Sequence, residues 1–501
     1  MKNRPNILFV MTDQQRFDSI ASLGNSEVFT PNMDRLVARG ISFSNAYSPC
    51  PVCVAARYVI RTGCLPSSTR VFSNTFSTPV SGQADSITGR CGKYLAQEMA
   101  SRDYRTFGIG KFHTQPWNED LGYQSYLRSE ELYGNRIQRQ NDDFARFIAD
   151  SHPEYDFIEG LMGERTEMYY MPQMSALPEN CTVESWAADR AIERIRFRGD
   201  QPFFGFVSFV GPHPPFAPPI PFNRMYDPDR MPSPVRGDFA VDNMDEQIRW
   251  MNHAIWANDI SDSHARALRA RYYGELSFID KCLGRILDAV ESREDSENTL
   301  ICFFSDHGDH MGDHGAWQKE SFFDASCRIP FLLSWPEVLP QELRIEAFAG
   351  LEDLFAIATH ASGETHIRDG EDLLSVVDAG SMGREYYLGV YGEPGTSMFK
   401  CMIRWREWKY IYLANGGLEQ LFNLSSDPYE IEDQSKTNSQ VVDRLRKLAI
   451  ADLLCKSGTE AAIESNELIS FSSSSRPFKR IHQFDRSRGI SKFPENPRDC
   501  L

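Results

Sequence analysis

The chain has 501 residues, with 53 Lys and Arg against 70 Asp and Glu and a formal net charge of −17. That length exceeds the usual reach of one hydrophobic core, so a large domain with a smaller companion is expected. The negative field argues against nucleic-acid and anionic-membrane binding, and against a long, highly sulfated polymer unless a local basic pocket outweighs it.

In chain order, the first apolar run is Asn6–Thr12, which reads as a buried strand and is too short for a signal-peptide core. No later run is long enough to span a bilayer. Eleven cysteines, an odd number without framework spacing, fit a reducing compartment. The expected location is the cytoplasm, with the periplasm or exterior the alternative if a leader precedes Met1.

Further strands are predicted over Tyr104–Ile109, Phe203–Val210, Leu300–Ser305 and Pro330–Ser334. Helices are predicted over Asn32–Arg39, Lys93–Arg102, Val183–Arg196, Ser263–Ser292 and Glu352–Ala361. Continuous apolar strands between helices argue for an α/β fold, a large mostly parallel sheet sandwiched by helices. Residues 114–180 and 211–262 are rich in aromatic, Pro and charged residues and read as loops and short helices that rim a pocket and set specificity. From about residue 383 the pattern changes to short strands (Glu385–Tyr391, Phe399–Arg404, Lys409–Leu413) and a helix, Val441–Leu454. The expected division is therefore a large α/β domain over 1–382, a smaller α+β domain over 383–455 and an extended tail over 456–501. That tail carries eight Lys/Arg against six Asp/Glu, so it is either solvated or an arm that packs on a second subunit in a homo-oligomer.

The segment Cys50-Pro-Val-Cys-Val-Ala-Ala-Arg-Tyr-Val-Ile-Arg-Thr-Gly63 places Cys53 one residue before an expected helix, with Arg57 one turn along the same face. The thiol then meets unpaired N–H groups and the positive end of the helix dipole. Arg57 adds a permanent guanidinium charge, and the pair suits chemistry on sulfate or phosphate. A lone C-x-x-x-R reads more simply as a structural cysteine and a surface arginine. The strand ends change that balance.

Asp13 follows the first predicted strand, Lys111 and His113 the second, His213 the third, and Asp306-His307 the fourth. Ligands of parallel sheets bind beyond the carboxyl ends of the strands, so these loops converge on one edge. A carboxylate and an imidazole at one strand end, joined by Asp13 at another, make an oxygen-rich site for a divalent metal ion. The turn that carries them, Asp306-His-Gly-Asp-His-Met-Gly-Asp-His-Gly-Ala-Trp-Gln-Lys319, is unusually dense in Gly, His and Asp. His213 sits in Gly211-Pro-His-Pro-Pro215, where the prolines hold it in place.

Over about residues 4–450 the chain resembles the type I sulfatases of the alkaline phosphatase superfamily. The landmarks are Pro5-Asn-Ile-Leu-Phe-Val-Met-Thr-Asp13, Thr30-Pro-Asn-Met-Asp-Arg-Leu36, the Cys53 segment, Tyr104-Arg-Thr-Phe-Gly-Ile-Gly-Lys-Phe-His113 and Pro202-Phe-Phe-Gly-Phe-Val-Ser-Phe-Val-Gly-Pro-His213. They continue with Tyr272-Tyr-Gly-Glu-Leu276, Asp280, Gly284-Arg-Ile-Leu287, Ser305-Asp-His-Gly308, Lys319, Trp408-Lys-Tyr410, Leu421-Phe-Asn-Leu424 and Asp427-Pro428.

The resemblance implies an alkaline phosphatase-like fold and a sulfuric ester hydrolase acting on a sulfated carbohydrate or similar small sulfate ester. It implies that a maturation enzyme oxidises Cys53 to formylglycine (3-oxoalanine), whose hydrate supplies the nucleophilic hydroxyl. It implies one Ca²⁺ held by Asp13, Asp306, His307 and residue 53, with Arg57 beside the nucleophile. Lys111 and Lys319 would hold sulfate oxygens, His213 would give a proton to the leaving oxygen, His113 would orient the diol, and Asn74 resembles a substrate-binding Asn of part of the superfamily.

Two departures stand out. The commonest family signature is C-x-P-S-R, whereas this chain has Ala55 and Ala56 before Arg57, which bears on the maturation enzyme that accepts it. The family often has a second Asp after the first, whereas Gln14 stands here as a neutral fourth ligand or a hydrogen-bonding neighbour. Asp-Gln is similar to choline sulfatases and phosphonate monoester hydrolases, so a phosphonate monoester or phosphodiester hydrolase is the alternative enzyme. Lys111-Phe-His113 matches sulfatases better. A non-catalytic sulfoglycan-binding relative is a third reading, against which the intact set of site residues speaks.

Overall fold

A computed structural model describes residues 4–75, 85–130, 136–156, 170, 172–237, 245–249 and 261–475. The main sheet contains β1 (Asn6–Thr12), β2 (Ile41–Tyr47), β3 (Arg105–Gly110), β4 (Ser125–Arg128), β5 (Phe203–Ser208), β6 (Thr299–Ser305), β7 (Phe331–Ser334) and β8 (Leu343–Gly350). Its order is β4-β3-β5-β1-β6-β7-β2-β8. Every pairing is parallel except the two made by β7.

The strands at the middle are buried along their whole length, as helices on both faces require. Side chains of β1 alternate between two cores. Ile7, Phe9 and Met11 join the core that includes Val54, Tyr58 and Phe355. Leu8 and Val10 join the one that includes Trp186, Phe278 and Ile286. Phe9 meets Phe204, Phe206 and Phe304 at ring-centroid distances of 5.4, 6.2 and 5.8 Å, the first and last edge-on, as aromatic quadrupoles prefer, and the second tilted. The helix α1 (Pro31–Ala38) is tied to the long helix Asp262–Glu291 by Asp280, whose carboxylate accepts from the N–H groups of Asn32 and Met33. That bond explains why Thr30-Pro-Asn and Asp280 belong together: a carboxylate serves the first turn of a helix it does not belong to.

The second sheet, β9 (Tyr386–Tyr391), β10 (Lys400–Trp405), β11 (Trp408–Leu413) and β12 (Leu418–Asn423), is antiparallel throughout and packs with the helix Ser439–Cys455. Residues 456–475 lie against it rather than extending away: Tyr412 donates to the Ile469 carbonyl, and Asn415 bonds Ser474. The rest of the expected tail lies outside the described residues. Among the described residues, no helix is long and apolar enough to cross a membrane.

The predicted strands and helices are all present within a few residues, while β2, β4, β8 and β12 were not foreseen. β2 alternates Ser and Asn with apolar residues, and β8 is exposed over its first half at the sheet edge. Neither carries the continuous apolar run of a central strand.

Candidate active site

The strands β3, β5, β1 and β6 lie side by side; Lys111 and His113 follow β3, His213 follows β5, Asp13 and Gln14 follow β1, and Asp306 and His307 follow β6. Gly110, at the end of β3, has φ +101°, and a Cβ there would fall 1.9 Å from the Ser208 carbonyl oxygen. Only glycine lets the two strand ends close in and bring Lys111 over the sheet edge.

Helix α2 spans Cys53–Thr62, so Cys53 is its first residue rather than the one preceding it. The cap is Val52, which has no side-chain oxygen to offer the first turn. Asn74 makes up the deficit: its Oδ1 accepts from Val54 N–H at 3.0 Å. Thus Asn74 secures the helix start one residue from the thiol.

The Cys53 Sγ lies 3.2 Å from His307 Nε2 and 3.8 Å from Asp13 Oδ1. Asp13, Cys53, Asp306 and His307 are all buried, and one donor atom from each lies within 4.8 Å of the others. Arg57 Nη2 pairs with Asp13 at 2.6 Å and its Nε with Asp306 at 3.2 Å. Lys111 Nζ reaches Asp13 at 2.7 Å. His307 Nδ1 bonds the Gly308 carbonyl, which turns Nε2 toward Cys53.

These contacts set the charge states. Burial would raise Asp13, but Lys111, His213, Arg57 and His307 hold its carboxyl well below the usual range. Burial and the Asp13 charge instead push Asp306 up to about 6, against His307 and Arg57. Burial and Asp13 also push the Cys53 thiol up; Lys319, Lys111 and His307 outweigh them and bring it down to about 6. Burial and Lys111 drive His113 down to about 3, so its imidazole is neutral, and its buried Nδ1 has no hydrogen-bond partner among the described residues. His213 is 3 % exposed, with Nδ1 bonded to the Pro214 carbonyl at 2.8 Å.

Gln14 takes a different place from the other expected ligands. Its amide oxygen accepts from Lys319 Nζ at 2.7 Å and its amide nitrogen donates to Asp309, which also accepts from Tyr170 at 2.8 Å. The backbone of Gln14 has φ +68°, and its N–H bonds Asp306. Lys319 is brought in by two flanking residues with positive φ, Gln318 and Glu320. Its segment is pinned from the second sheet, where Lys400 bonds the Glu320 carbonyl and Asp245. Lys409 is buried between Asp324 and Glu430 nearby. Asp309, Lys400 and Lys409 were not picked out from the sequence as parts of this frame. Asp309 is visible in the sequence only as another acid in a His/Asp-rich turn, Lys400 only as a member of a short strand, and Lys409 only as the middle residue of the Trp408-Lys-Tyr410 landmark.

The sequence model of the sulfatase family matches residues 5–363. The chain belongs to the sulfatase family. Among its relatives, an arylsulfatase of Clostridium perfringens is 29 % identical over 488 residues, covering 93 % of this chain and 97 % of that protein. A choline-sulfatase of Rhizobium meliloti is 26 % identical over 474 residues, covering 90 % and 86 %. In fold, this sulfatase is similar to the phosphonate monoester hydrolase of Agrobacterium radiobacter, with a TM-score of 0.73 and 24 % identity over 95 % of this chain and 100 % of that one. It is therefore an enzyme of the sulfatase class with the alkaline phosphatase-like architecture.

Proposed function

We propose that this sulfatase hydrolyses a sulfate ester of a carbohydrate or another small alcohol, with Cys53, oxidised to formylglycine by a maturation enzyme, as the nucleophile. The observation that carries this reading is the position of Cys53 at the start of α2, beside Asp13 and His307 and under the charge of Lys111 and Lys319. A thiol used only for packing has no need of such neighbours.

In the hydrated aldehyde, one hydroxyl held beside Arg57 attacks sulfur, and the S–O bond to the alcohol breaks. Lys111 and Lys319 neutralise the sulfate oxygens where negative charge gathers. His213, whose Nδ1 is occupied by the Pro214 carbonyl, protonates the leaving oxygen from Nε2. Neutral His113, whose Nδ1 has no partner among the described residues, orients the diol, and Asn74 keeps the helix start and the substrate side in register. Loss of a proton from the second hydroxyl then expels sulfate and restores the aldehyde.

Two buried carboxylates and an imidazole around residue 53 fit a divalent cation, and Asp13, Asp306 and His307 would hold a Ca²⁺ there. Such an ion supplies Lewis-acid polarisation and lowers the proton affinity of a bound hydroxyl.

The alternative, a phosphonate monoester or phosphodiester hydrolase, is favoured by Gln14 following Asp13. Turnover of an aryl sulfate and an aryl phosphodiester of the same phenol decides between them. A clear preference for the sulfate supports the proposed reading, and the reverse preference assigns the chain to the alternative.

A further inference from the structure

Gly211 begins the turn that carries His213, and its peptide is held on both sides. Its carbonyl accepts from Asp13 N–H at 3.2 Å, and its N–H donates to Glu184 Oε1 at 3.2 Å. Glu184 comes from the helix Val183–Arg196 and Glu275 from the helix Asp262–Glu291. Both are buried, 6 % and 7 % exposed. A Cβ built on Gly211 would lie 3.2 Å from Glu275 Oε1 and 3.3 Å from Glu184 Oε1, so both carboxyls close over the same backbone. Neither forms an ion pair with a described cation, and Glu275 Oε2 has no hydrogen-bond partner among the described residues. Two carboxylates buried together without a described cation do not both ionise; one keeps its proton. Burial pushes Glu184 up to about 7, and burial with the neighbouring Glu184 pushes Glu275 well above the carboxylate range.

We infer that Glu184, braced by Glu275, is a positioning residue that fixes the Gly211–His213 turn so that His213 faces the leaving oxygen. This rests on the acid role given to His213 above. The Glu184 carboxylate takes the one amide that would otherwise be free to rotate the turn, and the acid form of Glu275 keeps that carboxylate in place without a competing cation.

The test compares Glu184→Ala, Glu275→Ala, Glu184→Gln and His213→Ala in the full-length, matured enzyme on phenyl sulfate and nitrophenyl sulfate. Phenolate is the poorer leaving group and depends more on protonation. Glu184→Ala and Glu275→Ala are expected to lose kcat on phenyl sulfate by about tenfold or more beyond any loss on nitrophenyl sulfate, following His213→Ala, with KM little changed. Glu184→Gln, which keeps an acceptor for Gly211, is expected to recover most of that loss. A second readout is the downfield proton resonance of the His213 Nδ1–H donated to Pro214, expected in the wild type and Glu184→Gln and lost in Glu184→Ala. Folded alanine variants that slow both substrates equally, or that keep the resonance, overturn the inference. If His213→Ala shows no leaving-group bias while Glu184→Ala still loses the resonance, the acid role of His213 fails and the positioning role stands.

Discussion

Arg57 Nη2 lies 2.6 Å from Asp13 Oδ2, and the same guanidinium reaches Asp306 through Nε at 3.2 Å. One side chain on α2, the helix that begins at Cys53, thereby ties the ends of β1 and β6 to that helix. A lysine keeps the charge but not the fork. Arg57→Lys is expected to lower kcat/KM on an aryl sulfate by about 10²–10³-fold, the scale of losing a preorganised charge contact. Steady-state kinetics check this, and activity within a few-fold of wild type would contradict it.

Asp13 and Asp306 face one another across Arg57 and His307, which makes their pairing sensitive to the proposed cation. Chelation is expected to abolish turnover and lower the thermal midpoint, and added Ca²⁺ to restore both, since a ligand bound only to the folded state stabilises it. Calorimetry with and without chelator measures the shift. An unchanged midpoint and undiminished turnover would remove the ion from the account.

Lys409 is expected to matter to a site it does not touch. Its Nζ is buried against Asp324 and, at 2.7 Å, Glu430. Lys409→Met leaves Glu430 without its cation and Asp324 with Arg328 alone, a change that costs about 3–5 kcal/mol when one partner of a buried pair is removed. Denaturant unfolding should show this loss. Activity should fall as well, because the same segment carries Lys319. Wild-type stability would show that the carboxylates find other partners.

Acid stability follows from the same cluster. Burial raises Asp324, but Lys409 and Arg328 outweigh it and hold the carboxyl down to about 2. A depressed folded value means that the unfolded chain takes up the proton first. The contribution is therefore complete above the ordinary carboxylate value of 3.8 and is lost as pH falls through about 2. The stability margin of the wild type over Asp324→Asn should shrink on acidification below about pH 4 over the range where both fold. A margin that widens toward acid would contradict this.

Much of the site was legible because its scaffolding is local. β1 and β6 are unbroken apolar runs, and the residue after each, Asp13 or Asp306, is fixed at the sheet edge by the strand itself. Cys53 and Arg57 share a face through helical spacing alone. The remainder depends on contacts between distant segments. Nothing near Gln14 indicates that its amide spans Lys319 and Asp309. Lys319 arrives through the positive-φ residues Gln318 and Glu320, conformations that propensity disfavours and tertiary contacts impose. Lys400 reads as an ordinary strand residue, and Lys409 and Glu275 stand in the landmarks Trp408-Lys-Tyr410 and Tyr272-Tyr-Gly-Glu-Leu276 without indicating the groups they meet, because those groups lie elsewhere in the chain; Glu184 reads as a polar position on an amphipathic helix.

Cys53 is expected to become the nucleophile after oxidation. Peptide mass spectrometry of protein from its native host tests it most directly. A Cys53 peptide lighter than the cysteine form by about 18 Da, the change from thiol to aldehyde, is the predicted result. An unmodified thiol at Cys53 in fully active enzyme would contradict the account.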